Sequence, residues 1–112
     1  MENCIFCKIV RGEIPANIVY ESESVLAFDD VNPMAPVHVV VVPKAHVATL
    51  MDVSDKDMMN DMISAVQEVA KIKGIDKRGF RTVINCNEDG GQVVFHLHVH
   101  IMGGRKLSDD MG

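Results

Sequence analysis

At 112 residues and 12.3 kDa the chain fits one domain, 1–112, and leaves no room for a second. Hydrophobic residues make up 47%, too many for a disordered chain. Eleven Lys and Arg against sixteen Asp and Glu, with one Tyr and no Trp, exclude the basic footprint and stacking platforms of a nucleic-acid binder. The run Val39–Val42 stops at Pro43, far short of the roughly 20 residues a membrane span needs. The opening Met1-Glu2-Asn3-Cys4 has neither the basic start nor the apolar stretch of a secretory signal, so a cytosolic protein is expected. In that compartment three cysteines read as thiols or metal ligands rather than disulfides.

Along the chain, apolar residues at 5, 6, 9 and 10 suit a short helix that Gly12 stops. Asn17–Tyr20 and Val25–Phe28 read as short strands, and Pro33 and Pro36 mark a loop between them and the next strand. Val37–Val42 reads as a central strand buried on both faces. Ser54-Asp55-Lys56-Asp57 resembles a capping box before a helix with Met59, Met62, Ile63, Val66, Val69 and Ala70 on one stripe, ended by Gly74. Phe80–Cys86 and Val93–Met102 are the last strands, joined through the turn Asn87–Gly91. The expected class is α+β: a mainly antiparallel five-stranded sheet, one long helix and a short N-terminal helix. So small a core, with eight Met residues, favours a homodimer that covers an edge strand.

Phe95-His96-Leu97-His98-Val99-His100-Ile101-Met102 carries the chemistry. A strand turns Leu97, Val99 and Ile101 to one face and the three histidines to the other, roughly 7 Å apart at about 3.3 Å per residue. Such a row could bind a metal ion, or one imidazole could attack phosphorus while its neighbours stabilise the phosphoryl charge. A solvated polar face is the bland alternative, which a pure histidine row argues against. The preceding Gly90-Gly91 is either a phosphate cradle or an ordinary turn. Cys4-x-x-Cys7 has zinc-ligand spacing, with two inert thiols as its alternative. No βαβ unit surrounds the pair, which argues against a thioredoxin-like role. Cys86 reads as a small core residue and His38 as a hydrogen-bonded structural histidine.

The segment Gly90 to Met102 resembles the signature of the histidine-triad (HIT) family, His-φ-His-φ-His-φ-φ, in its Hint-type branch. Ile5-Phe6-Cys7-Lys8-Ile9, Glu13-Ile14-Pro15, Leu26 to Val31, Pro33, Ala35, Pro36, His38 and Pro43-Lys44-Ala45-His46 resemble that branch in the same order. The resemblance implies a HIT-like fold and an enzyme that hydrolyses or transfers nucleoside monophosphates from phosphoramidates or aminoacyl and lysyl adenylates. It implies His98 as the nucleophile, His100 as a phosphate contact, and His96 and His46 beside the nucleophile. Asp30 would hold the ribose. Ile5, Phe6, Ile9, Phe28 and Val31 would surround the purine of AMP or GMP. Asn85 and the backbone of Gly91, Gln92 and Val93 would meet the phosphate. Many bacterial members of this kind hold a structural zinc between two cysteines and two histidines; the resemblance implies Cys4, Cys7, His46 and His96 as that set here, with no cofactor required for the chemistry.

Val93 replaces the serine of eukaryotic Hint proteins, and the tail Lys106–Gly112 lacks the family's Trp. Both departures bear on the leaving group. Two other readings stay open: a zinc hydrolase with the histidine row as ligands, and a purine-nucleotide-binding module with little turnover.

Overall fold

The Val-rich run is the middle strand of the sheet. The structure, a computed structural model, describes residues 3–112. Strands Ile18–Glu21 (β1), Val25–Asp29 (β2), Val37–Pro43 (β3), Arg81–Val83 (β4) and Val99–Gly103 (β5) lie in the order β1-β2-β3-β5-β4. Every neighbouring pair is antiparallel. The helices are Ile5–Val10 (α1) and Lys56–Ile72 (α2), with a 3-10 turn at Leu50–Asp52. The expected α+β class and the two helices are therefore present.

The sheet is covered on both faces, which is why β3 shows no polar alternation. Val39 and Val41 pack with Val25, Ala27, Leu97 and Ile101 against Met62, Ala65 and Val69 of α2. Val40 and Val42 pack with Leu26 and Phe28 against Phe6, Ile9 and Val10 of α1. α2 ends in a Schellman arrangement: Ile75 N–H donates to the Ala70 carbonyl and Gly74 N–H to that of Lys71, with Gly74 at φ +70.

Several local expectations are corrected. The N-cap of α2 is Asp55, whose side chain accepts from Asp57 N–H, so the box does not start at Ser54. The reciprocal box closes instead at Thr49 and Asp52, around the 3-10 turn. Ile63 lies off the buried stripe, 56% exposed, because Met62, Ala65, Val69 and Ala70 complete the buried face. Cys86 is only half-buried and outside the core. The strand expected at Phe80–Cys86 shrinks to three residues.

The largest difference is at the histidine row. The strand begins at Val99, not Val93. Residues ahead of it leave the ladder because other partners take their hydrogen bonds. Leu97 N–H donates to the Val47 carbonyl, and the buried Gln92 amide donates to the carbonyls of Ala48 and Val94. Side-chain alternation survives the irregular backbone: Leu97, Val99 and Ile101 enter the α2-side core, while His96 and His98 are buried on the α1 side.

Candidate active site

α1 places two sulfurs one helical turn apart. Cys4 is its N-cap, and its Sγ accepts from Cys7 N–H. Cys4 Sγ lies 3.2 Å from His96 Nδ1, and Cys7 Sγ lies 3.3 Å from His46 Nδ1 and 3.5 Å from His96 Nδ1. One donor atom from each of the four residues falls within 4.8 Å of all the others.

Whether this set suits a metal ion is decided by protons. His96 Nε2 is 2.8 Å from the Pro43 carbonyl, an acceptor only, so the ring proton sits on Nε2 and Nδ1 presents its lone pair to both sulfurs. A tetrahedral ion with bonds of about 2.3 Å to S and 2.0 Å to N needs S–N edges of roughly 3.5 Å. The observed separations match that closely. Burial and the neighbouring Cys4 push the Cys7 thiol up, so a cation is what would hold this sulfur as thiolate. The residues fit a Cys2His2 zinc centre.

Beside this cluster, α1 and the sheet enclose a cavity of about 490 Å3. Ile5, Phe6, Ile9, Phe28, Asp30, Val31 and Val93 line it together with His98 and His100. The Phe6 ring stands edge-on to Phe28 at 5.5 Å and to His98 at 5.1 Å. Val31 and Val93 are rim residues, 89% and 88% exposed, rather than walls of a closed slot.

Asn85, Gly91 and Gln92 do not line the cavity and instead shape the turn beside it. Asn85 Nδ2 donates to the Gly90 carbonyl, and Gln92 Oε1 accepts from Asn87 N–H. His46 does not line the cavity with His98; its ring lies 4.9 Å from that of His96.

Hydrogen bonding assigns the protons in the cavity. His98 Nδ1 is 2.7 Å from the His96 carbonyl, so Nδ1–H donates and the neutral ring has a bare Nε2. Met34 N–H donates to His38 Nδ1 at 2.9 Å, which leaves the His38 proton on Nε2. That proton points at His100 Nδ1, 2.9 Å away, with Asp30 Oδ2 at 3.4 Å. His100 Nδ1 therefore accepts, and its own proton is on Nε2.

Burial pushes His98 below the ordinary 6.5, against the opposing pull of the His96 carbonyl and Asp30. Burial, then His98 and His38, lower His100 to about 4. Two neutral rings 4.9 Å apart thus have opposite faces: one offers a lone pair, the other an N–H.

Sequence reasoning missed His38 as part of this cavity, along with Ile14 and Met34. Only the register brings His38 in: it pairs with Met102 across β3 and β5, two residues along from the Val40–His100 pair and so on the same face.

Residues 11–107 match the HIT domain family model. With that match over most of its length, the chain belongs to the HIT family. The purine nucleoside phosphoramidase of Escherichia coli K12 is 42% identical over 108 residues, covering 95% of this chain and 91% of that protein. A histidine triad protein of Clostridium difficile is 50% identical with a TM-score of 0.95, covering 99% of this chain and 98% of that one. A HIT family hydrolase of Legionella pneumophila is 43% identical with a TM-score of 0.94, covering 98% and 100%.

Proposed function

We propose that the protein is a nucleoside phosphoramidase that cleaves purine nucleoside 5′-phosphoramidates or acyl adenylates through a nucleotidyl group on His98. The opposite proton assignments of His98 and His100 carry this reading. The bare Nε2 of His98 attacks phosphorus, and the P–N or P–O bond breaks: the amine leaves with a proton taken from solvent, or the acid leaves as its carboxylate. The resulting ring is cationic, and its Nδ1–H stays on the His96 carbonyl, which stabilises that charge. His100 Nε2–H donates to a phosphoryl oxygen in the crowded transition state. Water then opens the labile N–P bond, releasing the nucleoside monophosphate and restoring His98.

Asp30 at the cavity rim suits the two ribose hydroxyls as an acceptor, and Phe6, Ile9 and Phe28 suit the flat base. Cys4, Cys7, His46 and His96 would hold zinc in a structural role that pins α1 to the histidine segment. The name of the 42% identical Escherichia coli relative supports the reaction class. A homodimer joined along the short β4 edge, next to the exposed Ile84, would cover one open edge of the sheet.

A zinc hydrolase using the histidine row is disfavoured because the row does not converge. His96 Nδ1 faces the thiols, while His98 Nδ1 and His100 Nδ1 are taken by hydrogen bonds.

The test is AMP release from adenosine 5′-phosphoramidate, with mass spectrometry of enzyme quenched during turnover. His98→Ala should lose about 10³-fold or more in kcat/KM and carry no AMP adduct. Tight AMP binding without turnover in well-folded wild type would replace the enzyme reading with a binding module.

A further inference from the structure

We propose that Cys4 and Cys7 form a redox-modification site, at which a peroxide oxidises the pair to a disulfide and unlatches α1 from the nucleotide cavity. The proposal rests on the functional reading above, because it concerns control of the same cavity.

A six-residue helix has little stability of its own. α1 stays in place through two attachments. One is apolar: Phe6, Ile9 and Val10 lie, only partly buried, against Leu26, Phe28, Val40 and Val42. The other is the pair of sulfurs facing His46 and His96. Phe6 sits between those sulfurs in sequence and forms the cavity wall against Phe28 and His98. The same histidine that receives both sulfurs supplies the carbonyl that orients His98. One pair of thiols therefore bears on the base wall and on the nucleophile.

The pair is also reachable. Cys4 is half-buried and opens on a cavity of about 380 Å3 lined by Asn3, Ile5, His46, Val93, Val94 and Phe95. Cys7 is buried behind it, in the position of a resolving thiol. Residues three apart on a helical turn, with sulfurs inside the 4.8 Å cluster, need only a small movement to bond.

The chemistry balances without a further reactant. Cys4 sulfur attacks one peroxide oxygen, the O–O bond breaks, and a sulfenic acid and one water form. Cys7 sulfur displaces the sulfenic oxygen as a second water and the S–S bond closes. Two thiols lose two electrons and two protons, and one hydrogen peroxide becomes two waters. Where the sulfurs start as metal-bound thiolates, the cation is released and solvent supplies the two protons. The disulfide sulfurs no longer hold His46 and His96 through a shared ion, so α1 loses one of its two attachments.

The experiment uses the full chain loaded with Zn²⁺ and titrated with hydrogen peroxide. Peptide mass spectrometry reads the Cys4–Cys7 link, a chromophoric chelator reads released zinc, hydrogen exchange reads the Ile5–Val10 amides, and calorimetry reads AMP affinity. The link should form with zinc release, faster exchange in α1 and an AMP affinity about tenfold lower, within the usual range of site coupling. Dithiothreitol with added Zn²⁺ should reverse all four. Cys86→Ser should respond as wild type does, and Cys4→Ser should not respond.

A link that forms while α1 exchange and AMP affinity stay unchanged overturns the proposal. So does peroxide that oxidises only Cys86. If the reduced, zinc-loaded protein binds no AMP, the functional reading fails on its own, and α1 exchange alone then decides whether the latch exists.

Discussion

His38 and His100 differ in exposure and chemistry but share one proton path. The Met34 N–H fixes His38, His38 fixes His100, and only then does His100 turn a donor into the cavity. A ring without that partner could carry its single proton on either nitrogen. Two substitutions should separate donor from positioner. His100→Ala removes the donor and should lower kcat about 10²-fold, the usual cost of one charge-stabilising contact. His38→Ala leaves the donor but frees its tautomer, and should cost roughly tenfold, less than the donor itself. Steady-state kinetics with adenosine 5′-phosphoramidate measures both; an equal loss in the two variants would make His38 a direct participant.

The turn Asn87–Gly91 and the irregular Gln92–His98 segment decide where the histidines end up. Gly90 is packed so closely that a Cβ there would meet the Cys86 carbonyl oxygen at 2.5 Å. That contact is with backbone and has no rotamer to escape into. Gly90→Ala should therefore destabilise the fold by about 1–3 kcal/mol, the range for overpacking, read as a lower urea midpoint at unchanged slope. Gln92 then holds the segment by three hydrogen bonds, through Asn87 N–H and the carbonyls of Ala48 and Val94. With Leu97 N–H on the Val47 carbonyl, these bonds anchor the segment beside the sheet without joining its ladder. α2 and the 3-10 turn are held by caps at Asp55 and Thr49, which position the opposite face of the sheet and leave the site to α1.

For the molecule as a whole, three neighbouring histidines are kept neutral by burial: His96, His98 and His100 all lie below the ordinary 6.5. The unfolded chain takes up their protons as pH falls past 6.5, while the folded chain takes them up only at lower pH, near 4 for His100. Stability should be full above pH 6.5 and decline as pH drops toward 4. Thermal unfolding across that window checks this, and His100→Gln should flatten the decline. A Tm that rises on acidification would mean that the rings are protonated in the folded state. Among the described residues no helix is long and apolar enough to cross a membrane.

Much of this protein could be read along the chain, because periodicity and residue type are local. The apolar run of β3, the amphipathic α2 ended at Gly74, and the alternating histidines each declare themselves within a few residues. Cys4-x-x-Cys7 and the three-histidine row also announced their donor atoms. Which atoms meet was decided by packing. His46 and His96 are fifty residues apart in sequence yet converge on one pair of sulfurs, because the loop after β3 and the segment before β5 both meet the start of α1. His38 entered the site through its place in the β3–β5 register, information that a single strand does not contain. His98, the proposed nucleophile, and His100, the proposed donor, are the same residue type two positions apart. Only the His96 carbonyl on one side and the His38 ring on the other give them opposite protons, and those partners exist only in the folded chain.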